Sequence, residues 1–336
     1  MRTPLRAACA LAALTLATAC GTGADGQADA RPDGGGAATA PAAAGAFPAQ
    51  VVNCGRTVRV TRAPERIVSF FPSNTELLLA LGVKDRVAGQ VWADQSPPKP
   101  AYAADYAGVK VLSGGEVSRE TLLAARPDFI LADGEYNFDG RKLPTIAELA
   151  ELGVPVYVDA AFCPAVTGTA TLADTERDLD ALGALLGVPD RTARAKETVA
   201  ATLGDVRRRL ADRTPVRAAM VQIFDRQLYG LAGGLYSDIV RTAGGVNVLD
   251  GQVPPGKNFE VVSVEAVAKA DPETIVYHHT DDADRAAAER WIRDHLGQTR
   301  AVRDNRLIGT PAADYSGLRA VDGALALARA LHPAAF

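Results

Sequence analysis

The sequence predicts an α/β protein: two Rossmann-like lobes with mostly parallel sheets, joined by one long backbone helix. Three observations predict it. Short apolar runs alternate with helical runs, the pattern of a parallel sheet covered on both faces. A helix–strand unit of the first half recurs in the second. Between the halves, residues 191–212 hold no proline and one glycine, so a helix can run through them unbroken. The length of 336 residues suits two domains, and 48% hydrophobic with 23% charged residues is ordinary for a globular chain.

In the first half, Arg66–Phe71 reads as a strand. Pro72–Thr75 supply polar residues for a helix cap, and Glu76–Leu81 form a helix stopped by Gly82. Val87–Trp92, Phe129–Ala132 and Val154–Val158 are further strands, the last two separated by a helix over Thr145–Leu152. The second half restarts with a strand over Arg217–Phe224 and a helix over Tyr236–Ala243 before Gly244-Gly245. Thr274–Tyr277 and Leu307–Ile308 are strands, and Ala286–Leu296 and Val321–Leu331 are helices. In the linking stretch Val199, Leu203, Val206 and Leu210 recur at helical spacing. A helix of about 22 residues is roughly 33 Å long. Such a strut fixes the shape of the cleft between the lobes and lets it close only slightly.

The repeat is specific. Ser118-Arg119-Glu120-Thr121-Leu122 through Pro127-Asp128-Phe129-Ile130 matches Ser263-Val264-Glu265-Ala266-Val267 through Pro272-Glu273-Thr274-Ile275. The offset is 265 minus 120, or 145 residues. Each copy holds a capping serine, a glutamate in the first helical turn, a short amphipathic helix and a strand. Glu76–Gly82 and Asp238–Gly244 give a fainter second match in the same order.

The N-terminus has its own logic. Arg2 and Arg6 precede an uncharged apolar run from Ala7 to Ala19, about 13 residues, which is too short to span a bilayer and suits a signal-peptide core. Ala17-Thr18-Ala19-Cys20-Gly21 resembles a lipobox, at which Cys20 would be lipidated, although position 17 is Ala where Leu is usual. An ordinary signal peptide cut after small residues is the alternative. Residues 21–46 are rich in Gly, Ala, Asp and Pro and cannot bury enough apolar surface to fold, so they read as a tether to a membrane. The expected organisation is a lipoprotein signal peptide over 1–20, a disordered tether over 21–46, an N-terminal lobe over 47–170, a connecting helical segment over 171–214 and a C-terminal lobe over 215–336. Cys54 and Cys163 are left in the exported body, where a lone pair is expected to form a disulfide; two buried thiols are the alternative.

The order of these features resembles a known family: the substrate-binding proteins of ABC importers for iron-siderophores, haem and cobalamin, the group with a single helical backbone. The resemblance covers about residues 50–333. It is carried by Pro64-Glu65-Arg66-Ile67-Val68-Ser69, Pro72-Ser73-Asn74-Thr75-Glu76-Leu77, Gly82-Val83, Pro127-Asp128-Phe129-Ile130 and Val321-Asp322-Gly323. It implies a monomeric, exported, lipid-anchored protein, held at the outer face of the cell membrane or in the periplasm, that captures a ferric siderophore or related metal chelate. Its partner would be an ABC transporter permease. In that family one glutamate per lobe docks on permease arginines, and Glu120 and Glu265 are the matching positions. Helix capping is the plainer role for each, and the helix dipole favours a carboxylate there in either case.

Ligands of α/β lobes meet the carboxyl ends of strands. The loops there offer Trp92, Tyr136 and Phe138 from the first lobe, and Phe224, Arg226, Tyr236, Lys257, Phe259, His278 and Tyr315 from the second. Aromatic faces with a few charges suit a large, partly apolar chelate, with Arg226 and Lys257 for its anionic oxygens. Neighbours on a strand face opposite ways, so His278 and His279 cannot both face the cleft. Direct metal or haem ligation by the protein is not expected, and neither is a cofactor of its own; the chelator would supply the ligands to iron. Cobalamin or haem is the alternative cargo. A ligand sensor and an exported two-lobed enzyme are the other classes, but no Gly-x-Gly-x-x-Gly, phosphate-binding Gly-rich loop or Gly-x-Ser-x-Gly elbow is present. Net charge is -4 with no basic stripe, which argues against a nucleic-acid partner.

Overall fold

The computed structural model describes residues 46–336. The signal peptide over 1–20, Cys20 and nearly all of the tether lie outside the described residues. The first element is one the sequence reading missed: a hairpin of β1 (Ala49–Asn53) and β2 (Arg56–Val60). Its two-residue turn is Cys54-Gly55, with φ of 48° and 75°, the left-handed pair that a tight hairpin requires.

The first lobe follows with β3 (Ile67–Phe70), α1 (Pro72–Ala80), β4 (Val87–Val91), α2 (Ala103–Ala107), α3 (Arg119–Ala124), β5 (Phe129–Ala132), α4 (Ile146–Glu151) and β6 (Val156–Val158). Its sheet is parallel throughout, in the order β4-β3-β5-β6. The cap expected over Pro72–Thr75 is instead the first turn of α1. Pro72 has no N–H to leave unpaired at a helix start. The polar side chains behind it are buried and bonded inward: Thr75 Oγ1 lies 2.8 Å from Ser69 Oγ, and Asn74 Nδ2 donates to the Phe70 carbonyl at 3.1 Å. At α4, Thr145 and Glu148 form a reciprocal capping box.

Two helices lead out of this lobe. α5 (Ala173–Leu186) ends at Gly187 in the left-handed region, and α6 (Pro189–Leu210) is the 22-residue backbone helix. It buries Val199, Val206 and Leu210, while Leu203 packs partly buried beside them. The second lobe contains β7 (Val216–Phe224), β8 (Gln227–Leu231), α7 (Gly234–Thr242), β9 (Gly245–Asn247), β10 (Phe259–Val261), α8 (Val264–Ala270), β11 (Thr274–His279), α9 (Asp282–Leu296), α10 (Arg300–Arg303), β12 (Leu307–Pro311) and α11 (Gly317–Leu331). β7, β11 and β12 run parallel, as expected. The sequence reading did not anticipate β8 and β10, which add antiparallel strands to the same sheet, or β9, which pairs parallel with the foot of β7.

Three apolar cores belong to single lobes: one around Phe70, Leu122 and Ile130 and a small one of Leu79, Tyr106 and Val109 in the first, and one around Val221, Ile275 and Ile292 in the second. The largest core is shared. It packs Ile67, Leu77 and Phe129 of the first lobe with Met220, Val276 and Leu331 of the second, and with Leu179 and Val206 of the connecting helices. A buried ion cluster ties the same junction. Arg319 of α11 reaches Glu76 of α1 at 3.0 Å, donates through Nε to Asp314 at 2.8 Å and donates to the Pro97 carbonyl at 3.1 Å. Ser73 and Ser316 hydrogen bond beside it.

Cys54 and Cys163 are joined as a disulfide with Cα atoms 5.0 Å apart, across 109 residues of sequence. The neighbouring Asn53 docks the hairpin onto the edge of the first sheet. Its amide donates to the Val158 carbonyl at 2.7 Å and accepts from the Val158 N–H at 2.8 Å.

Candidate functional site

The carboxyl ends of β5 and β6 face those of β7 and β11 across a cavity of about 740 Å³. The first lobe contributes Phe71, Asp133, Glu135, Tyr136 and Phe162; the second contributes Gln222, Tyr236, Lys257, Asn258, Phe259, His278 and Tyr315. Each second-lobe residue has a local reason for its place. His278 pairs with Gln222 across β11 and β7, so the two side chains share one face of the sheet. Tyr236 leaves the first turn of α7, whose start is a glycine pair with positive φ at Gly233 and Gly234. There the helix packs against the Thr167 and Gly168 backbone so closely that any Cβ on Gly234 would clash.

The deepest wall is aromatic. His278 stacks on Tyr315 with centroids 3.9 Å apart, and Tyr236 lies 5.8 Å from the first and 5.9 Å from the second. Tyr315 donates its hydroxyl to Thr310 Oγ1 at 2.7 Å. Burial, with His279 adding to it, pushes the His278 pKa down to about 3, so its imidazole is neutral. Among the described residues His278 Nε2 has no hydrogen-bond partner. It can give or accept one hydrogen bond, or offer a lone pair, to whatever fills the cavity. His279 sits on the opposite face of β11, as strand alternation requires, beside Tyr277.

The first-lobe wall rests on buried acids. Burial raises Asp133 to about 6 against hydrogen bonds from Tyr136 and Asn137. Asp159 is raised well above the carboxylate range by burial and by the neighbouring Asp178 and Asp133. Asp178, also raised by burial, to about 7, accepts from the Tyr157 hydroxyl at 2.7 Å and the Ala160 N–H at 2.8 Å. Glu135 is held by Arg56 at 2.7 Å. Among the described lining residues, Lys257 is the one cation, and it stands at the rim. Among the described residues no group of three or more His, Cys, Asp or Glu is placed to hold a bare metal ion. The arrangement can enclose a large, partly aromatic ligand of modest charge.

Tyr136, Tyr236, Lys257, Phe259, His278 and Tyr315 are thus brought together around the cavity. Four other expected contacts are placed differently. Phe138 is a core residue, buried against Phe70 with centroids 5.4 Å apart, because the turn over 135–137 carries its ring under the loop. Trp92, in the left-handed region at the end of β4, turns toward that same loop and donates to Asn137 at 2.9 Å. It lines a small neighbouring pocket shared with Tyr136, outside the main cavity. Phe224 and Arg226 lie at the exposed tip of the β7–β8 hairpin, beyond the enclosed space. Asp133, Phe162 and Gln222 were missed. Asp133 and Gln222 lie at the ends of assigned strands, where alternation could have placed them; Phe162 lies in a loop that gave no signal.

Glu120 and Glu265 occupy equivalent positions in α3 and α8. Ser118 and Ser263 cap these helices, accepting from Thr121 N at 3.2 Å and Ala266 N at 3.0 Å. Both glutamates are exposed. Among the described residues no helix is long and apolar enough to cross a membrane.

A sequence profile described as periplasmic binding protein matches residues 67–313. The vitamin B12-binding protein of Yersinia pestis strain Pestoides F is 29% identical over 237 residues, which cover 69% of this chain and 75% of that one. A periplasmic binding protein from Veillonella parvula superposes with a TM-score of 0.75 at 23% identity, over 84% of this chain and 97% of its own. The structure described as an ABC-type Fe3+-hydroxamate transport system from Saccharomonospora viridis gives 0.71 at 22% identity, over 85% and 99%.

Proposed function

This chain belongs to the periplasmic binding protein family, whose members bind solutes for transport outside the cytoplasm and are not enzymes, and from that premise we propose that it captures a ferric siderophore or related metal chelate for an ABC permease. The observation that carries the reading is the aromatic cavity between the lobes, in which His278 is neutral with an unpartnered Nε2 and where, among the described residues, no three side chains are placed to hold a bare ion. A chelate brings its own ligands and offers the broad, partly apolar surface that such walls complement. Titration with ferric catecholate and hydroxamate siderophores, haemin and cobalamin, followed by tryptophan fluorescence, tests it. Trp92 lies in the pocket beside the cavity and serves as the reporter. Saturable quenching by a ferric chelate is the expected result; silence from every ferric chelate refutes it. Cobalamin is the second reading, favoured by the 29% identity to vitamin B12-binding proteins.

The exported protein would be held to the membrane through Cys20, the tether spanning the gap to the folded body. Glu120 and Glu265, exposed at matched helix starts, would meet permease arginines. The variant with both Glu120→Ala and Glu265→Ala is expected to keep its ligand affinity while uptake falls by about tenfold, as the loss of two intermolecular charge contacts implies. Unchanged uptake by cells carrying only the double variant rules the docking role out.

A further inference from the structure

The wall that carries His278 does not end at the cavity. Thr310, His278, Gln222, Tyr229 and Val261 stand directly opposite one another across β12, β11, β7, β8 and β10. Cross-strand partners project from the same face, so the row that begins inside the cavity continues outside it. Phe259 lies two residues before Val261 and Phe224 two residues after Gln222, so both share that face. The outer part of the row is apolar and exposed: Phe224 is 61%, Phe259 38% and Val261 56% exposed. An exposed apolar patch that adjoins a ligand cavity marks a binding surface more often than an accident of composition.

The rings are ordered. Tyr229 and Phe259 stack with centroids 4.5 Å apart and planes 9° from parallel, and Phe224 meets Tyr229 edge-on at 6.4 Å. Phe259 lines the cavity and Tyr229 does not. Since Tyr229 covers one face of Phe259, the surface that Phe259 turns to the cavity mouth is its other face and its edge. That face is one ring wide. It fits a single aryl ring continuing the stack, whereas a macrocycle would overhang it on every side. Lys257, two residues before Phe259, lines the same mouth, 3.8 Å from Glu260, and is the cation nearest in sequence to such a ring's anionic oxygens.

On the reading that the cleft holds a metal chelate, we infer that Phe259, set in place by Tyr229, forms a stacking subsite at the cavity mouth for one aryl ring of the ligand, which makes aryl-bearing chelates the preferred class over wholly aliphatic ones. Phe259 would touch the ligand; Tyr229 is a positioning residue that acts through the plane of Phe259.

Affinity of the full protein for a ferric tris-catecholate and for an aliphatic ferric trihydroxamate, measured on the wild type and on Phe259→Leu, Tyr229→Leu and Tyr229→Phe, tests this. Phe259→Leu should weaken the catecholate by about three- to tenfold, the range of one aromatic pair, and leave the trihydroxamate within about twofold. Tyr229→Leu should show part of the same selective loss, and Tyr229→Phe, which keeps the stack, should show none. Both positions are exposed or half-buried, and unchanged thermal unfolding would certify the fold. Equal losses for both chelates, or none for the catecholate, overturn the subsite while the transport reading stands. Wild-type protein that binds only haemin or cobalamin also overturns it, and protein that binds no probe at all overturns both.

Discussion

Replacing Arg319 with methionine is expected to lower the free energy of unfolding by about 3–5 kcal/mol, the range for removing one partner from a buried ion pair. Arg319 and Glu76 are both almost fully buried, and the guanidinium also serves Asp314 and the Pro97 carbonyl. Without it, Glu76 loses its direct ion-pair partner inside the lobe junction and keeps only the Lys99 N–H at 2.9 Å and the weaker pull of the Lys99 charge. Its pKa already lies above the ordinary value because burial raises it, and Arg319 is the main influence pulling it back down. The variant's Glu76 would therefore bind its proton more tightly in the folded than in the unfolded chain. A group with a raised folded pKa gives stability that is present below the unfolded value, near 4.3, and is lost as pH rises through the folded one. The deficit should thus be smaller at pH 5 than at pH 8. Adding Glu76→Gln should restore much of the loss at pH 8, since it removes the more deeply buried of the two carboxylates that Arg319 serves. Urea unfolding of the three proteins at both pH values measures this. A cost under 1 kcal/mol at pH 8 would show that the junction does not depend on the pair.

Removing the Cys54–Cys163 disulfide should cost about 2–4 kcal/mol, and for a body of this size roughly 2–4 °C of Tm per kcal/mol. The bond closes a loop across 109 residues, so its absence frees the unfolded chain far more than it alters the folded one. Asn53 would still hold the hairpin on β6 through two hydrogen bonds, so the variant with both cysteines changed to alanine should keep the native fold and its ligand affinity. Scanning calorimetry with and without reductant compares the same states in the native chain. A peptide map that shows Cys54 and Cys163 as separate free thiols, or a Tm indifferent to reductant, contradicts the expectation.

The sequence was most legible where one physical signal dominates. The parallel strands are short, largely apolar runs, and the backbone helix advertises itself by lacking proline from residue 191 to 212. The equivalent helices α3 and α8 were legible because a serine cap and a glutamate recur in register. The missed strands share a different character. β1 and β2 alternate exposed and buried residues over only five positions, and β10 spans three largely exposed ones, too few to stand out. The turn at Cys54-Gly55 is a weak signal in sequence, because cysteine rarely adopts the left-handed region that Cys54 occupies here. The site was half legible for a related reason. Position at a strand end is readable, whereas the direction of a loop side chain is not. Phe138 and Tyr136 are two residues apart, and only the packing of the turn decides that one ring is core and the other lines the mouth. Gln222 is neither charged nor aromatic and so gives no chemical signal in sequence, yet it joins His278 to Tyr229 in the row that crosses the sheet.

The apolar core that runs through both lobes bears on affinity. Most two-part receptors lose freedom when a ligand draws their parts together, and that ordering subtracts from the strength of the complex. Here Leu77, Val206, Met220 and Leu331 already pack as one interior before any ligand arrives. The alignment of the two walls is settled during folding, at the expense of folding entropy, and not at the moment of capture. Contacts made in the cavity can then appear almost undiminished in the binding free energy, and a low environmental concentration of cargo can be met by a modest number of them.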